Sequence, residues 1–154
     1  MKREGTRTLL VGLLGLVTLL WIGSCRSGKE SGNEGPAGDE PEMVKRYRDD
    51  GTLSSVNPVD EDGYVDGVKV NYYEDGKSVH SKVTYEHGRK QGPAIWYYKT
   101  GEVYEHTGFR YGKKDGLTRR YYQSGELMEE MTFKDGEELP GKKRYRRDGT
   151  LITE

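Results

Sequence analysis

Two pairs of adjacent carboxylates, Glu129-Glu130 and Glu137-Glu138, and three histidines, His80, His87 and His106, are the first candidates for acid–base or metal chemistry in this chain. A glycosidase needs two carboxylates flanking one cleft, whereas neighbours on an extended strand point to opposite faces. Neither pair is preset for that work. The histidines lack companion ligands at metal-binding spacing and read as solvated strand and turn residues. Gly108, in Thr107-Gly108-Phe109, belongs to no phosphate-cradling GxGxxG loop; a bulge or a close approach between strands accounts for it more simply. What remains is aromatic. Tyr73, Trp96, Tyr98 and Tyr122 are expected on the strand face opposite Tyr72, Tyr97 and Tyr121. There they either line a shallow groove for a peptide or glycan or pack across strands to stiffen a thin sheet. The expectation is a non-enzymatic protein without catalytic residues, metal or cofactor.

The remaining chemistry sits at the only cysteine, Cys25. Lys2, Arg3 and Arg7 form a positive start, Leu9 to Ile22 an apolar stretch, and Gly23-Ser24 a small-residue site, the layout of an export signal. About 14 apolar residues reach roughly 21 Å as a helix, short of the hydrocarbon core of about 30 Å. The tetrad Ile22-Gly23-Ser24-Cys25 resembles the lipobox of bacterial lipoproteins. That resemblance implies a lipoprotein signal peptide at 1–24, acylation of Cys25 as the first mature residue, and a place in the bacterial cell envelope, in the outer membrane if the cell has two. An ordinary secretory leader and an uncleaved span are the alternatives. More than one acyl chain is needed for lasting attachment. Residues 25–42, rich in Gly, Ser, Glu and Pro, read as lipidated cysteine and flexible linker. Removing residues 1–24 takes away three cations and one carboxylate, so the net charge falls from −1 to −3. Nucleic acid is not an expected partner.

Residues 43–154 carry a repeat. Tyr47, Tyr72, Tyr97, Tyr121 and Tyr145 each precede a glycine by four, at Gly51, Gly76, Gly101, Gly125 and Gly149, with a period of 24 to 25 residues. A second glycine pair keeps the same period at Gly63/Gly67, Gly88/Gly92, Gly112/Gly116 and Gly136/Gly141. Two marks per period leave room for two short strands. The first mark reads as a tight two-residue hairpin tip, the second as a looser polar link to the next hairpin. Apolar positions two apart, Val68-Val70-Tyr72, Pro93-Ile95-Tyr97 and Leu117-Tyr121, are answered by Val79-Val83-Tyr85, Val103-Thr107-Phe109 and Leu127-Met131-Phe133. That pattern predicts one apolar and one mainly polar face. The fold expected is all-β, a single-layer antiparallel meander of four to five hairpins. Asn57, Pro58, Asp60 and Glu61 weaken the first unit. The last carries Lys142-Lys143-Arg144-Tyr145-Arg146-Arg147, either an edge guard or a contact for an anionic surface.

The pattern Tyr-Tyr-x-x-Gly, then aromatic-x-x-Gly, recurs at Tyr72-Tyr73…Gly76 with Tyr85 and Gly88, at Tyr97-Tyr98…Gly101 with Phe109 and Gly112, and at Tyr121-Tyr122…Gly125 with Phe133 and Gly136. It resembles the MORN repeat, in the bacterial variant often labelled as antitoxin of toxin–antitoxin systems. The resemblance implies hairpins that bind a protein or a membrane rather than catalyse. It lacks the Gly-x-x-His-Gly ending of the eukaryotic form. Two functions are therefore expected: a lipid-anchored envelope protein presenting a binding array, or an antitoxin or immunity protein that occludes a toxin reaching the envelope. Replacing Cys25 with Ala should move the protein from the membrane to the soluble fraction on cell fractionation.

Overall fold

The computed structural model describes residues 40–153. The leader, Cys25 and most of the linker lie outside the described residues. The described chain is all-β and without helix: β1 (Glu42–Tyr47), β2 (Leu53–Val59), β3 (Gly67–Tyr72), β4 (Val79–Glu86), β5 (Arg89–Tyr97), β6 (Val103–Arg110), β7 (Lys113–Lys114), β8 (Gly116–Tyr121), β9 (Leu127–Lys134), β10 (Glu137–Glu138) and β11 (Lys143–Arg144). They form one antiparallel sheet in chain order, with β7 beside β6 and β11 beside β9 as short pieces of interrupted strands. The meander and its repeating hairpins are as the glycine spacing requires.

The turns are the reverse of those expected. At the tyrosine–glycine tips, Gly101 N–H donates to the Tyr98 carbonyl and Tyr98 N–H to that of Glu102, closing a three-residue loop with Gly101 at φ +107°. The same bonds recur around Gly51, Gly125 and Gly149, and the tip at Gly76 is one residue longer, closed by Tyr73 N–H on the Ser78 carbonyl. The tight two-residue turns are instead three of the links, while the first link, around Gly63, closes as a three-residue loop through Asp60 N–H on the Tyr64 carbonyl and Gly63 N–H on that of Asp60. Glu86 pairs with Arg89 across His87-Gly88, Arg110 with Lys113 across Tyr111-Gly112, and Lys134 with Glu137 across Asp135-Gly136. Both turn residues have positive φ in each case, 44° and 75° at His87-Gly88, as a type I′ turn demands.

The first four tips also carry a bulge. Tyr72 pairs with Val79 while Asn71 pairs with Ser81, so His80 is extra; Tyr104 is extra between Val103 and Glu105, Met128 between Leu127 and Glu129, and Ser54 between Leu53 and Ser55. One inserted residue reverses the parity of the rest of its strand. Val79 therefore shares a face with Tyr72, whereas Val83 and Tyr85 turn to the other side. The expected division into an apolar and a polar face does not occur, because period-two counting carries across a bulge that local pattern does not reveal.

One face is buried nonetheless. Cross-strand partners run Ser55, Asn71, Ser81, Trp96, Glu105, Arg120, Glu129, Arg144 in one row. Val83, Ala94 and Thr107 follow in a second, with Thr118 opposite Met131. Buried side chains on this face include Ser55, Asn57, Ser81, Val83, Ala94, Glu105, Thr107, Thr118 and Met131. Small residues, serine, alanine and threonine, hold most of the buried positions, in rows shared with the long side chains of Trp96, Glu105 and Arg120. Thr107 and Thr118 bond hydroxyl to hydroxyl there. In the first unit, Asn57 is buried on this face rather than left as a gap in an apolar strand, and Pro58, also buried, turns to the other side.

Gly108 is a close approach, as expected: a Cβ there would lie 2.8 Å from the Asp115 carbonyl oxygen. At Gly101 a Cβ would meet nothing within 4 Å, so only the backbone angle selects glycine. Gly101→Val should cost at least about 1 kcal/mol, the penalty of a left-handed β-branched residue, read as a lower midpoint in urea unfolding.

Candidate functional site

Tyr73, Tyr98 and Tyr122 hold the array together on the tip side. The Tyr73 hydroxyl donates to the Tyr97 carbonyl at 2.6 Å, that of Tyr98 to Tyr121 at 2.8 Å, and that of Tyr122 to Tyr145 at 2.9 Å. Each bond reaches from one unit to the next. Arg48 occupies the equivalent place in the first unit and does the same with a guanidinium, donating to the Tyr72 carbonyl at 2.6 Å and to the Leu53 carbonyl at 2.9 Å. Comparing the repeats in register would have singled out Arg48 beside Tyr73, Tyr98 and Tyr122; tyrosine counting passed over it. Among the four aromatics, Trp96 stands apart, opposite Ser81 and Glu105 and against the Phe109 ring at 6.3 Å. Tyr73 and Tyr98 meet His80 and Tyr104 edge-on, and Arg147 lies 5.4 Å over Tyr122.

The link side is laced in the opposite sense. Gly88 N–H donates to the Val65 carbonyl, Gly112 N–H to Lys90 and Gly136 N–H to Lys114, all at 2.8–2.9 Å, each reaching back one unit.

Acidic and basic side chains fill the remaining space on the buried face. Glu105, with an 8% exposed side chain, accepts from Lys114 and Arg120, both at 2.7 Å. Glu129 accepts from Arg120 at 3.0 Å, Arg144 at 3.2 Å and Lys142 at 3.3 Å. Burial raises both carboxyl pKa values, and the cationic partners outweigh it, so both end below the ordinary range. Glu130 turns to the other face, with Arg119 at 3.1 Å and Lys143 at 3.6 Å. The adjacent carboxylates thus diverge as strand geometry requires and serve ion pairs. Much of the basic run at 142–147 is likewise engaged within the sheet.

The opposite face is left open by the described residues. Val68 and Leu117 are 47% and 42% exposed. Depressions repeat along it: one of about 420 Å³ lined by Ile95, Val103, His106, Tyr121 and Gly125, and one of about 350 Å³ lined by the equivalent Val79, Lys82, Tyr97 and Gly101, with Ser78, Lys99 and Thr100. His106 is thereby a wall of a depression. Sequence reading assigned Tyr97 and Tyr121 to the apolar face expected to be buried and missed this role, because the bulges that turn Thr107 and Met131 to the other side are not visible in local pattern.

His87 has another part. Its Nδ1 lies 2.5 Å from Asp60 and 3.8 Å from Asp66, and its backbone N–H donates to Asp66 at 3.3 Å. The three side-chain groups fall within 4.8 Å of one another. Tyr64 closes over them, edge-on to the imidazole at 6.5 Å. The arrangement latches the first link onto the second. Its members lie up to 27 residues apart, beyond any local motif. Hydrogen bonding and charge from Asp60 raise the His87 pKa; at Asp60, desolvation is the largest single influence and opposes, but the His87 bond and charge together with the Tyr64 and Asp62 backbone N–H groups outweigh it, lowering that carboxyl.

The family model described as a MORN repeat variant matches residues 114–135, which span β8, β9 and the turn between them. Comparison with the curated proteins and with solved structures gives no match.

Tyr98→Phe should lower stability by about 0.5–1.5 kcal/mol, the net value of one such bond, in thermal unfolding followed by circular dichroism. Because the His87 pKa is raised on folding, its latch contributes fully below about pH 6.5, the unfolded value, and is lost as pH rises through the folded value. The protection factor of the Gly88 amide, its exchange rate referred to the intrinsic rate at each pH, should fall over that interval, and His87→Asn, which tolerates positive φ, should abolish that fall.

Proposed function

We propose that this chain is a lipid-anchored envelope protein whose repeats are a non-enzymatic binding module, and that the open sheet face carries the binding. The observation that supports this is the pair of equivalent depressions around Tyr97 and Tyr121 on a face that no second layer of the described residues covers. Contiguous exposed apolar surface on a stable domain marks an interaction site, and tyrosine beside aliphatic side chains suits a protein partner. Tyr73, Tyr98 and Tyr122 support the same role from behind: their hydroxyls are engaged with the next unit, so the open face is presented on a stiffened sheet. Carboxylates used as ion-pair partners agree with a module that binds rather than catalyses, as MORN repeats commonly do.

The anchor at Cys25 would hold this surface near a bilayer through the linker at 25–42. An antitoxin or immunity function is a narrower form of the same reading, in which the bound protein is a toxin.

Photo-crosslinkers at Leu117 or Val103 in the full chain, in its own envelope, should capture one discrete partner, whereas a crosslinker at the buried Ala94 should not. Ile95→Lys, within the larger depression, should weaken capture by about tenfold or more, as loss of a central contact does, with the melting curve retained. Capture that is equal from all positions, or untouched by Ile95→Lys, would remove this face as the binding surface. A captured toxin would select the inhibitor reading.

A further inference from the structure

Among the described residues the strand β1 hydrogen-bonds on one side only, to β2, and ends the sheet. It runs Glu42-Met43-Val44-Lys45-Arg46-Tyr47, with five of its six residues exposed, Met43 and Tyr47 by 52% and 60%. It has no proline, and the residues at its centre pair with β2 in unbroken register from Glu42 to Arg46. An edge of this kind offers a row of unpaired backbone groups to another strand. Its charges are also unused: among the described residues, Glu42, Lys45 and Arg46 have no ion-pair partner, although the buried face is laced with ion pairs.

We propose that β1 pairs antiparallel with β1 of a second copy, about a two-fold axis through Val44. An axis perpendicular to the sheet keeps the buried faces of both copies on one side, so that only residues of like parity can oppose one another. Three registers then compete. An axis at Lys45 sets two ammonium groups directly opposite, which is unfavourable on a sheet. One at Met43 leaves Glu42 opposite Val44 and drops Lys45 and Arg46 from the ladder. An axis at Val44 instead sets Glu42 opposite Arg46 of the second copy, twice by symmetry, with Val44 on Val44 between them. Glu42, Val44 and Arg46 lie on the buried-face side, opposite Val59, Asn57 and Ser55 of β2, so the two ion pairs flank one apolar contact. On the other side Met43 meets the aliphatic stem of Lys45.

A six-residue edge buries less than the roughly 1,200–2,000 Å² of a stable interface, so the dimer is weak and concentration-dependent. Attachment to one membrane would favour it by confining both copies. The inference itself does not rest on that attachment or on what the open face binds.

Sedimentation of the full-length chain in detergent tests it. A reversible monomer–dimer equilibrium is expected. Glu42→Arg and Arg46→Glu should each weaken it by about tenfold, since each sets like charges opposite twice, and the double variant Glu42→Arg/Arg46→Glu should restore it. Circular dichroism checks that every variant is folded. Val44→Cys should yield a disulfide-linked dimer on mild oxidation, beyond any background shared with Lys45→Cys through the retained Cys25. A monomer at all concentrations, an assembly indifferent to the single charge swaps, or failure of the double variant to recover would overturn the proposal.

Discussion

One extra residue in each of the first four hairpins, Ser54, His80, Tyr104 or Met128, governs this sheet. Without it, Val79, Val83 and Tyr85 would share a face with Tyr72, and the sheet would have a flat apolar side needing a second layer. With it, the aliphatic residues near each tip stay with the tyrosines on the open face, and the rest of the return strand turns to the buried one. The strand bends at the same place. Burial of small polar residues, exposure of apolar ones and the repeated depressions are three consequences of that single insertion.

A core built from serine, threonine, alanine and ion pairs contributes less hydrophobic free energy than one of leucine and phenylalanine. Connections between units must then supply much of the cooperativity. Two lines of hydrogen bonds do this from opposite ends of the strands. On the tip side a side-chain donor reaches forward, from Arg48, Tyr73, Tyr98 and Tyr122; on the link side a glycine N–H reaches back, from Gly88, Gly112 and Gly136. Between them, Glu105 and Glu129 tie β6, β8, β9 and β11 through shared cations. A buried carboxylate with partners on two strands specifies register more than it adds stability. The first unit adds a further fastening, His87 with Asp60 and Asp66, where acidic residues occupy the link.

Much of this was legible before any coordinates. Tyrosines four residues ahead of glycines fall at hairpin tips, Gly108 is where two backbones approach, and Glu129 and Glu130 diverge, because alternation, positive φ and missing Cβ atoms are local properties. The turn lengths were misread for a local reason too: Asp50-Gly51 and Asp75-Gly76 look like two-residue corners, while His87 and Tyr111 are unusual residues for the first position of a type I′ turn. Neighbouring strands, not dipeptide preference, select those turns.

The amino-acid order alone determined that the chain repeats, that it is a meander of short strands, and where it reverses direction, since glycine and alternating residues act within a few positions of themselves. Tertiary structure alone decided which side of each strand is covered. A bulge is stabilised by the partner strand it opposes, and a latch such as His87 with Asp60 exists only once units stack. Facing and the depressions around Tyr97 and Tyr121 are therefore properties of strands in company, which no single stretch of residues contains.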